Sequence, residues 1–574
     1  MQERTEKQGA TSEEPRGRQA PGRYRSRALP CALVTALLAA SGCSLPDTYV
    51  PPRKNAADGF TFYVSPDGDD DDDGLSPERA WRTLRKADAV TYRPGDRLRL
   101  RAGARYRGSL SLDEDEAGRA KKPVVVDSYG GGRATIETAG TPGISVYNTA
   151  GVEIRDLELV GDDRSFTRSA GVRFFSNLAD DRKLSHVVLS GLDISHFRNG
   201  VTLAGANRGT GFRDVRISDT AVHGNKDAGI SSVGPAFDAD DPLYAHEKVS
   251  LARVKAYEND GDPKSADRNT GSGIMLGSVR DAKVRRSSAH HNGRKSSSRA
   301  EEGPEGIWAY DSTRVVIEHN VSYANRSGSH VDGGGFGLDN NVSSSVLQYN
   351  FAFGNDGPGY LLYTRDRNGA HRDNVVRFNL SHDDSRKHPQ YGGIVAYGGL
   401  VRDLDIYHNT VVMKASSRAS EDAPALRLET GLTSARIRNN IFVTDGAPLV
   451  LSTKAFASDD VILQGNDYFS TDTWKVRWGA QSHLTLNSWR SADGQEQDES
   501  GPTGSAADPC LESTTAPVRS VKGAALMVPG CTDELTAAAL NLQKLGVDPG
   551  AVDYFGERLA PTAAAGAAQP SSEE

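Results

Sequence analysis

The 574-residue sequence predicts an all-β solenoid, short strands stacked coil upon coil behind an N-terminal capping helix, and three observations lead there. The first is self-similarity. Segments headed by glycine recur as "GISVY" (143), "GVRFF" (171), "GVTLA" (200), "GISSV" (229), "GIMLG" (273), "GIWAY" (306), "GFGLD" (335), "GYLLY" (359) and "GIVAY" (393), with "ALRLE" at 425 as a variant. Their spacing is mostly 24 to 34 residues, and each is followed by a second strand-like stretch such as "VVIEHNVSYAN". A repeat of that period without helical segments between its strands describes a stack in which each unit buries its face on the next. The second is alternation. The first position after the glycine is apolar throughout (Ile144, Val172, Val201, Ile230, Ile274, Ile307, Phe336, Tyr360, Ile394, Leu426), and the third is nearly always so. A period of two is that of a half-buried strand, and the three-and-four spacing of a helix is not met. The third is composition: 60 glycines and 7% aromatics suit a chain of many tight turns.

Taken from the N-terminus, the basic run "RGRQAPGRYRSR" precedes "ALPCALVTALLAASGC" (28–43). A positive region, about a dozen apolar residues and a small-residue site read as an export signal too short to span a bilayer. "ASGC" resembles the lipobox of bacterial lipoproteins, with Ala40 where leucine is commoner, and implies lipidation of Cys43. Residues 1–43 are thus read as signal and lipobox, and 44–59 as a linker. "SPERAWRTLRKADAV" predicts the capping helix, with Ser76 as N-cap, Pro77 in the first turn and Ala80, Trp81, Leu84 and Ala87 as its apolar face. The acidic run "DGDDDDDG" places Asp69, Asp71 and Asp73 like the start of a calcium loop. Its twelfth position is Ala80, so it reads as a solvated turn.

The solenoid is expected over 60–470. Asn199, Asn225, Asn259, Asn292, Asn325 and Asn355, followed by Asp384, mark one corner of successive coils and read as a stacked, structural ladder. A capping segment is expected over 471–557 and a disordered tail over 558–574, where "APTAAAGAAQPSSEE" has no core-forming pattern. With Cys31 removed and Cys43 acylated, Cys510 and Cys531 remain as a disulfide candidate. No cysteine–histidine spacing suits zinc. His290 and His291 are read as surface residues, and a net charge of −8 gives no electrostatic case for nucleic acid.

At this point the opening "FYVSPDGDDDDDGLSPERAWRTLRKADAV", the repeat, and the late "LTLNSWRSADGQEQDES" and "LGVDPGAVDYFGERLAP" together resemble the secreted right-handed parallel β-helix proteins of the pectate-lyase-like superfamily. The resemblance spans roughly residues 60 to 560. It implies the fold and its handedness; for activity it leaves lyases, hydrolases, epimerases and inactive members open.

The candidate site follows from the outward positions. If odd positions after the glycine face inward, the second and fourth face out, and stacking makes columns of them. The later coils then present Trp308, Tyr310, Tyr363, Tyr397, Arg427 and Glu429, with Arg365 in the next turn, as a surface suited to a sugar chain. In the same coils "HVDGGGFGLDNN" places Asp332 and Asp339 around three glycines, and the equivalent of Asp332 on the following coil is Asp356. Clustered carboxylates drive one another's pKa upward, which supplies a proton donor at neutral pH. In a hydrolase, two of Asp332, Asp339 and Asp356 are acid and base. In a uronate lyase the base or charge neutraliser comes from Arg365, Lys387, His382, His388, Tyr363 or Tyr310, and calcium on Asp332 and Asp356 is compatible with it. The expectation is an exported, monomeric protein, anchored to a bacterial envelope by lipid or secreted, that cleaves a polysaccharide. The alternative is a non-catalytic carbohydrate-binding or structural lipoprotein.

Overall fold

The computed structural model describes residues 59–569, apart from 117, 163–166, 416–421 and 517. The signal, Cys43 and most of the linker lie outside these residues. Among them the chain forms a parallel solenoid of three long sheets with 14, 14 and 13 strands. Each coil therefore holds three strands. The stretch "VVIEHNVSYAN" expected as one strand is two, Thr313–Glu318 and Val321–Tyr323, with a corner at His319 and Asn320.

Two buried asparagine ladders hold the corners. Asn259 N and Nδ2 donate to Asn292 Oδ1 at 3.1 and 2.9 Å, Asn292 does the same to Asn325, Asn325 to Asn355, and Asn355 to the carboxylate of Asp384. Asn199 departs from the expected series. Phe197 holds that corner and donates its N–H to Asn225 Oδ1 at 3.0 Å, while Asn199 lies two residues further into the strand Phe197–Gly205. The second ladder, unforeseen, runs Asn320, Asn350, Asn379, Asn409, Asn440 and Asn466 and ends on Glu496 Oε1 at 2.7 Å. Every buried amide here finds a partner above and below. Each donor orphaned by losing one would cost about 1–3 kcal/mol. The ladder also fixes an unfavoured backbone: His319, Tyr349, Phe378 and His408, which precede ladder asparagines, all have φ between 50° and 56°.

The inner positions form one apolar core from Phe62 to Trp489, with most side chains wholly buried. At its start the helix is shorter and later than predicted. Trp81 exchanges backbone bonds with Tyr63 and Ser65, so the chain is extended there. Only a 3-10 turn forms at Pro77–Arg79, and the helix begins at Leu84–Asp88, capped by Thr83 Oγ1. Ala80, Trp81, Leu84 and Ala87 are nonetheless all buried. The acidic run is a turn: Asp70 accepts the N–H groups of Arg82 and Thr83 at 2.8 and 2.9 Å. At the other end the helix Leu486–Asp493 sets Leu486 and Trp489 against the last coils.

Beyond it, Cys510 and Cys531 are joined by a disulfide, and the chain lies along the third sheet. The tail expected to be disordered is ordered as far as it is described. Ala564, Ala565 and Ala567 are buried against the sheet, Gly566 N donates to Asn439 O at 2.8 Å, and Ala567 N donates to Thr410 Oγ1 at 2.9 Å. Alanines lose no rotamer freedom on burial, so a segment without periodicity packs once an apolar face receives it. A side chain on Gly566 would meet Ile441 Cδ1 at 2.5 Å.

Candidate functional site

The glycine-headed strands form one of the sheets with the expected register. Thr202, Ser231, Met275, Trp308, Gly337, Leu361, Val395 and Arg427 are consecutive partners across it. The long turns between coils rise beside this face and enclose a cleft of about 720 Å³. They carry Arg268 and Asn269, Glu301 to Gly303, Val331 and Asp332, and Arg365 and Asp366, and are joined by a segment carrying Ala236 and Phe237 and by the loop that brings in Tyr391.

Asp332 and Asp339 both line this cleft. Asp332 sits in the turn before the strand Gly334–Leu338, with φ of 54°. Its Oδ2 accepts from Gly303 N at 2.8 Å and its Oδ1 from the Tyr391 hydroxyl at 2.9 Å. Burial pushes its pKa up and these two bonds oppose the rise. Asp339, at the far end of the same strand, accepts only from Asn340 N at 2.6 Å. Burial first, then the charges of Asp332, Glu302 and Asp311, pushes it up to about 8. The three glycines between these acids do not open space for a ligand. Cβ atoms there would lie 2.8–3.1 Å from the backbone of Arg326, Pro358 and Gly359 and from the side chain of Asp356, so neighbouring chain takes that room.

A third carboxyl was missed. Glu305 is 3% exposed, neither of its oxygens has a hydrogen-bond partner, and its pKa is driven well up by burial and by Asp332 and Asp339. It fits only because Gly337 on the next coil lacks a side chain: a Cβ there would be 2.0 Å from Glu305 Oε2. A signal was present in the repeat. The residue before the head glycine is Ala170, Asn199, Ala228, Ser272, Gly334, Pro358 or Gly392 in other coils and an acid only at 305.

Of the expected aromatic residues, Trp308, Tyr310, Tyr363 and Tyr397 line the cleft. Trp308 is only 6% exposed and its Nε1 donates to Ser272 Oγ at 3.1 Å. Leu361 and Val395, in the outward column, are covered by Tyr391, Tyr363 and Tyr397. Arg365 also lines the cleft, with Nη2 on Glu302 Oε1 at 2.7 Å.

Three expected members lie elsewhere. Asp356 accepts from Arg326 Nη1 at 3.1 Å and from Ser327 N at 3.2 Å, outside the cleft. Counting along the repeat placed it next to Asp332, but its side chain turns to the neighbouring corner. Asp332 and Asp356, the expected calcium pair, therefore share no site. Among the described residues no group of three or more His, Cys, Asp and Glu is arranged to hold a metal ion. Arg427 and Glu429 neutralise each other at 2.6 Å, one coil beyond the cleft wall. Of the basic residues named for a lyase, Lys387, His382 and His388 are also placed elsewhere. Lys387 Nζ caps the carbonyls of Ser327 and Ser329 at 2.5 and 2.9 Å. His382 and His388 are buried outside the cleft, and burial pushes both down to about 4.

A family profile described as "Right handed beta helix region" matches residues 177–368. Among solved structures the chain is similar to a selenomethionine derivative of the GH136 lacto-N-biosidase from Eubacterium ramulus. That match has 17% identity and a TM-score of 0.51 over 71% of this chain and 67% of that one. The native form of the same enzyme matches with 16% identity and a TM-score of 0.49, over 68% of this chain and 65% of that one. Pectate lyase Pel9A matches with 15% identity and a TM-score of 0.36, over 79% of this chain and 92% of that one. The chain thus spans about two thirds of the length of the lacto-N-biosidase, and the family profile with the match at a TM-score of 0.51 shows the fold, a right-handed parallel β-helix. No curated protein matches.

Proposed function

We propose that this protein is an exported glycoside hydrolase that cleaves a glycan chain lying in the cleft. The observation that carries the reading is a pair of cleft-lining carboxyls in unlike environments: Asp332 accepts from two donors that oppose the rise burial causes, whereas Asp339 accepts from one and is pushed up to about 8. Divergent environments of that kind separate a base or nucleophile from an acid. Asp339 gives its proton to the departing glycosidic oxygen as the bond to the anomeric carbon breaks. Asp332 either attacks that carbon or takes a proton from the water that does, and the hydroxyl of water ends on the new reducing sugar. Trp308, Tyr310, Tyr363 and Tyr397 offer the aromatic wall against which sugar rings pack.

Hydrolysis is preferred to elimination because of what stands near the acids. A lyase needs a cation on the uronate carboxylate and a base at the neighbouring carbon. Arg365 is engaged by Glu302, Lys387, His382 and His388 lie outside the cleft, and Tyr310 and Tyr363, which line it, have hydroxyls that burial pushes up in pKa and so makes harder to ionise as a base. The test is to incubate protein beginning after Cys43 with neutral and acidic polysaccharides and to weigh the fragments. Products that have gained one water each are expected. Products with a new double bond would replace this reading by elimination, and unchanged substrates across the panel would replace it by carbohydrate binding without turnover.

The anchoring of Cys43 belongs to the same proposal. Expressed in a bacterial host with labelled fatty acid, the full chain should take up label and Cys43→Ser should not. Equal labelling of both would remove the anchor.

A further inference from the structure

The cleft has a second end. Along the sheet, the strand Phe197–Gly205 lies four coils before Gly334–Leu338, which at about 4.8 Å per coil is roughly 19 Å from the acids. That end is walled by Arg198, Asn199, Thr202, Asp227, Arg268 and Asn269. Asp227 is 7% exposed, and its Oδ2 accepts from both Arg198 Nε and Arg268 Nη1. Its main chain is equally fixed, with N donating to Arg198 O at 2.7 Å and O accepting from Gly271 N and Ser272 N at 2.6 and 3.0 Å. Arg268 Nη2 donates to Ser265 Oγ at 3.0 Å. Two guanidinium groups are therefore held rigidly by one carboxylate. Both terminal amino groups of Arg198 and the Nε of Arg268 have no hydrogen bond to another described residue. Asn199 Oδ1, in the same wall, is buried without a partner.

The charges along the cleft are unequal. Two cations against Asp227 leave this end positive, whereas Glu301, Glu302, Asp311, Asp332 and Asp366 outweigh Arg365 at the other. A polyanion would be repelled by the acids, and a wholly neutral chain would leave the guanidinium donors unanswered.

We infer that the Arg198–Asp227–Arg268 end is a subsite for an anionic group, a carboxylate or a sulfate ester, on a glycan whose sugars are uncharged where the acids meet it. The inference deepens the hydrolase reading by naming the substrate class: a chain with acidic substituents set several sugars away from the bond that reacts. Planar, pre-oriented guanidinium groups match either oxyanion in a bidentate manner.

The test is binding by calorimetry with paired oligosaccharides: a neutral galactan oligomer, the same oligomer carrying one terminal sulfate, and one carrying a terminal uronate. At least one anionic member should bind tenfold or more tightly than the neutral one, and the sulfate and uronate arms report which oxyanion is read. The Arg198→Gln/Arg268→Gln double variant should lose that preference, and Arg198→Lys/Arg268→Lys, which keeps the charge, should retain part of it. Equal Kd values for neutral and anionic members, including no binding of either, would overturn the subsite. So would a preference that survives the Gln double variant with its melting temperature unchanged. Turnover is read separately. A charge preference without hydrolysis keeps the subsite and removes the hydrolase reading, while hydrolysis without a preference does the reverse.

Discussion

Asp339→Asn should lower kcat/KM by about 10²–10⁴-fold while leaving glycan affinity within a few fold, because a positioned general acid contributes about that much. The side chain keeps its size and its contact with Asn340 but has no proton of comparable acidity to give. Asp332→Asn should cost at least as much, since it removes the proposed nucleophile or base, which Gly303 and Tyr391 orient. The pH dependence follows from the same environment. Activity should fall as pH rises through about 8, where Asp339 loses its proton, and should fall on the acid side as Asp332 gains one. Stability carries the opposite lesson. Asp339 has a raised folded pKa, so the folded state holds an extra proton between the ordinary carboxylate value of 3.8 and about 8, and stability declines as pH rises across that window. Asp339→Asn should therefore melt higher than the native protein at pH 8 and show little difference at pH 4. A variant that keeps more than a tenth of native turnover would remove Asp339 from the chemistry, whatever its melting temperature.

Truncation after Pro502 should abolish cooperative folding. The segment beyond it lies on the third sheet and covers Phe351, Phe353, Leu380, Val412, Ile441 and Val443, all within 6% of full burial. It also covers Tyr349, Phe378 and Tyr407. Returning a large apolar side chain to water costs about 1.5–3 kcal/mol. Six or more such side chains together reach the whole net stability of a typical domain, about 5–15 kcal/mol. The bared strip would also be an apolar patch of the kind that aggregates. Removing only residues 560–574 should be milder, a lower melting temperature with the fold retained, because among the described residues it takes away alanines and bonds to Asn439, Thr410, Tyr554 and Asp553 and no large apolar side chain. Thermal melts and size-exclusion profiles of the two truncations check this. A soluble, cooperatively melting protein ending at Pro502 would show the segment to be an accessory.

The outward column from Thr202 to Arg427 could be read from the repeat alone, because alternation is local and stacking carries it from coil to coil. Asp332 and Asp339 could be found as acids on that face for the same reason. Their partners were less accessible. Tyr391 reaches Asp332 from 59 residues away, and Glu305 becomes part of the group only because Gly337 leaves it room. Asp356 failed because a residue in a turn has no alternation to say which way it points, and a nearby Arg326 decides it.

By itself the sequence determined the coil period, which residues face inward, the register of the site sheet and the identity of the acids, since these depend on side-chain size and a two-residue repeat. Only the tertiary structure decided which acids share a cleft, how burial and donors act on each, and that the alanine-rich end is packed. Each of those depends on burial and on charges brought close from distant turns, and loop direction and desolvation are properties of the assembled surface.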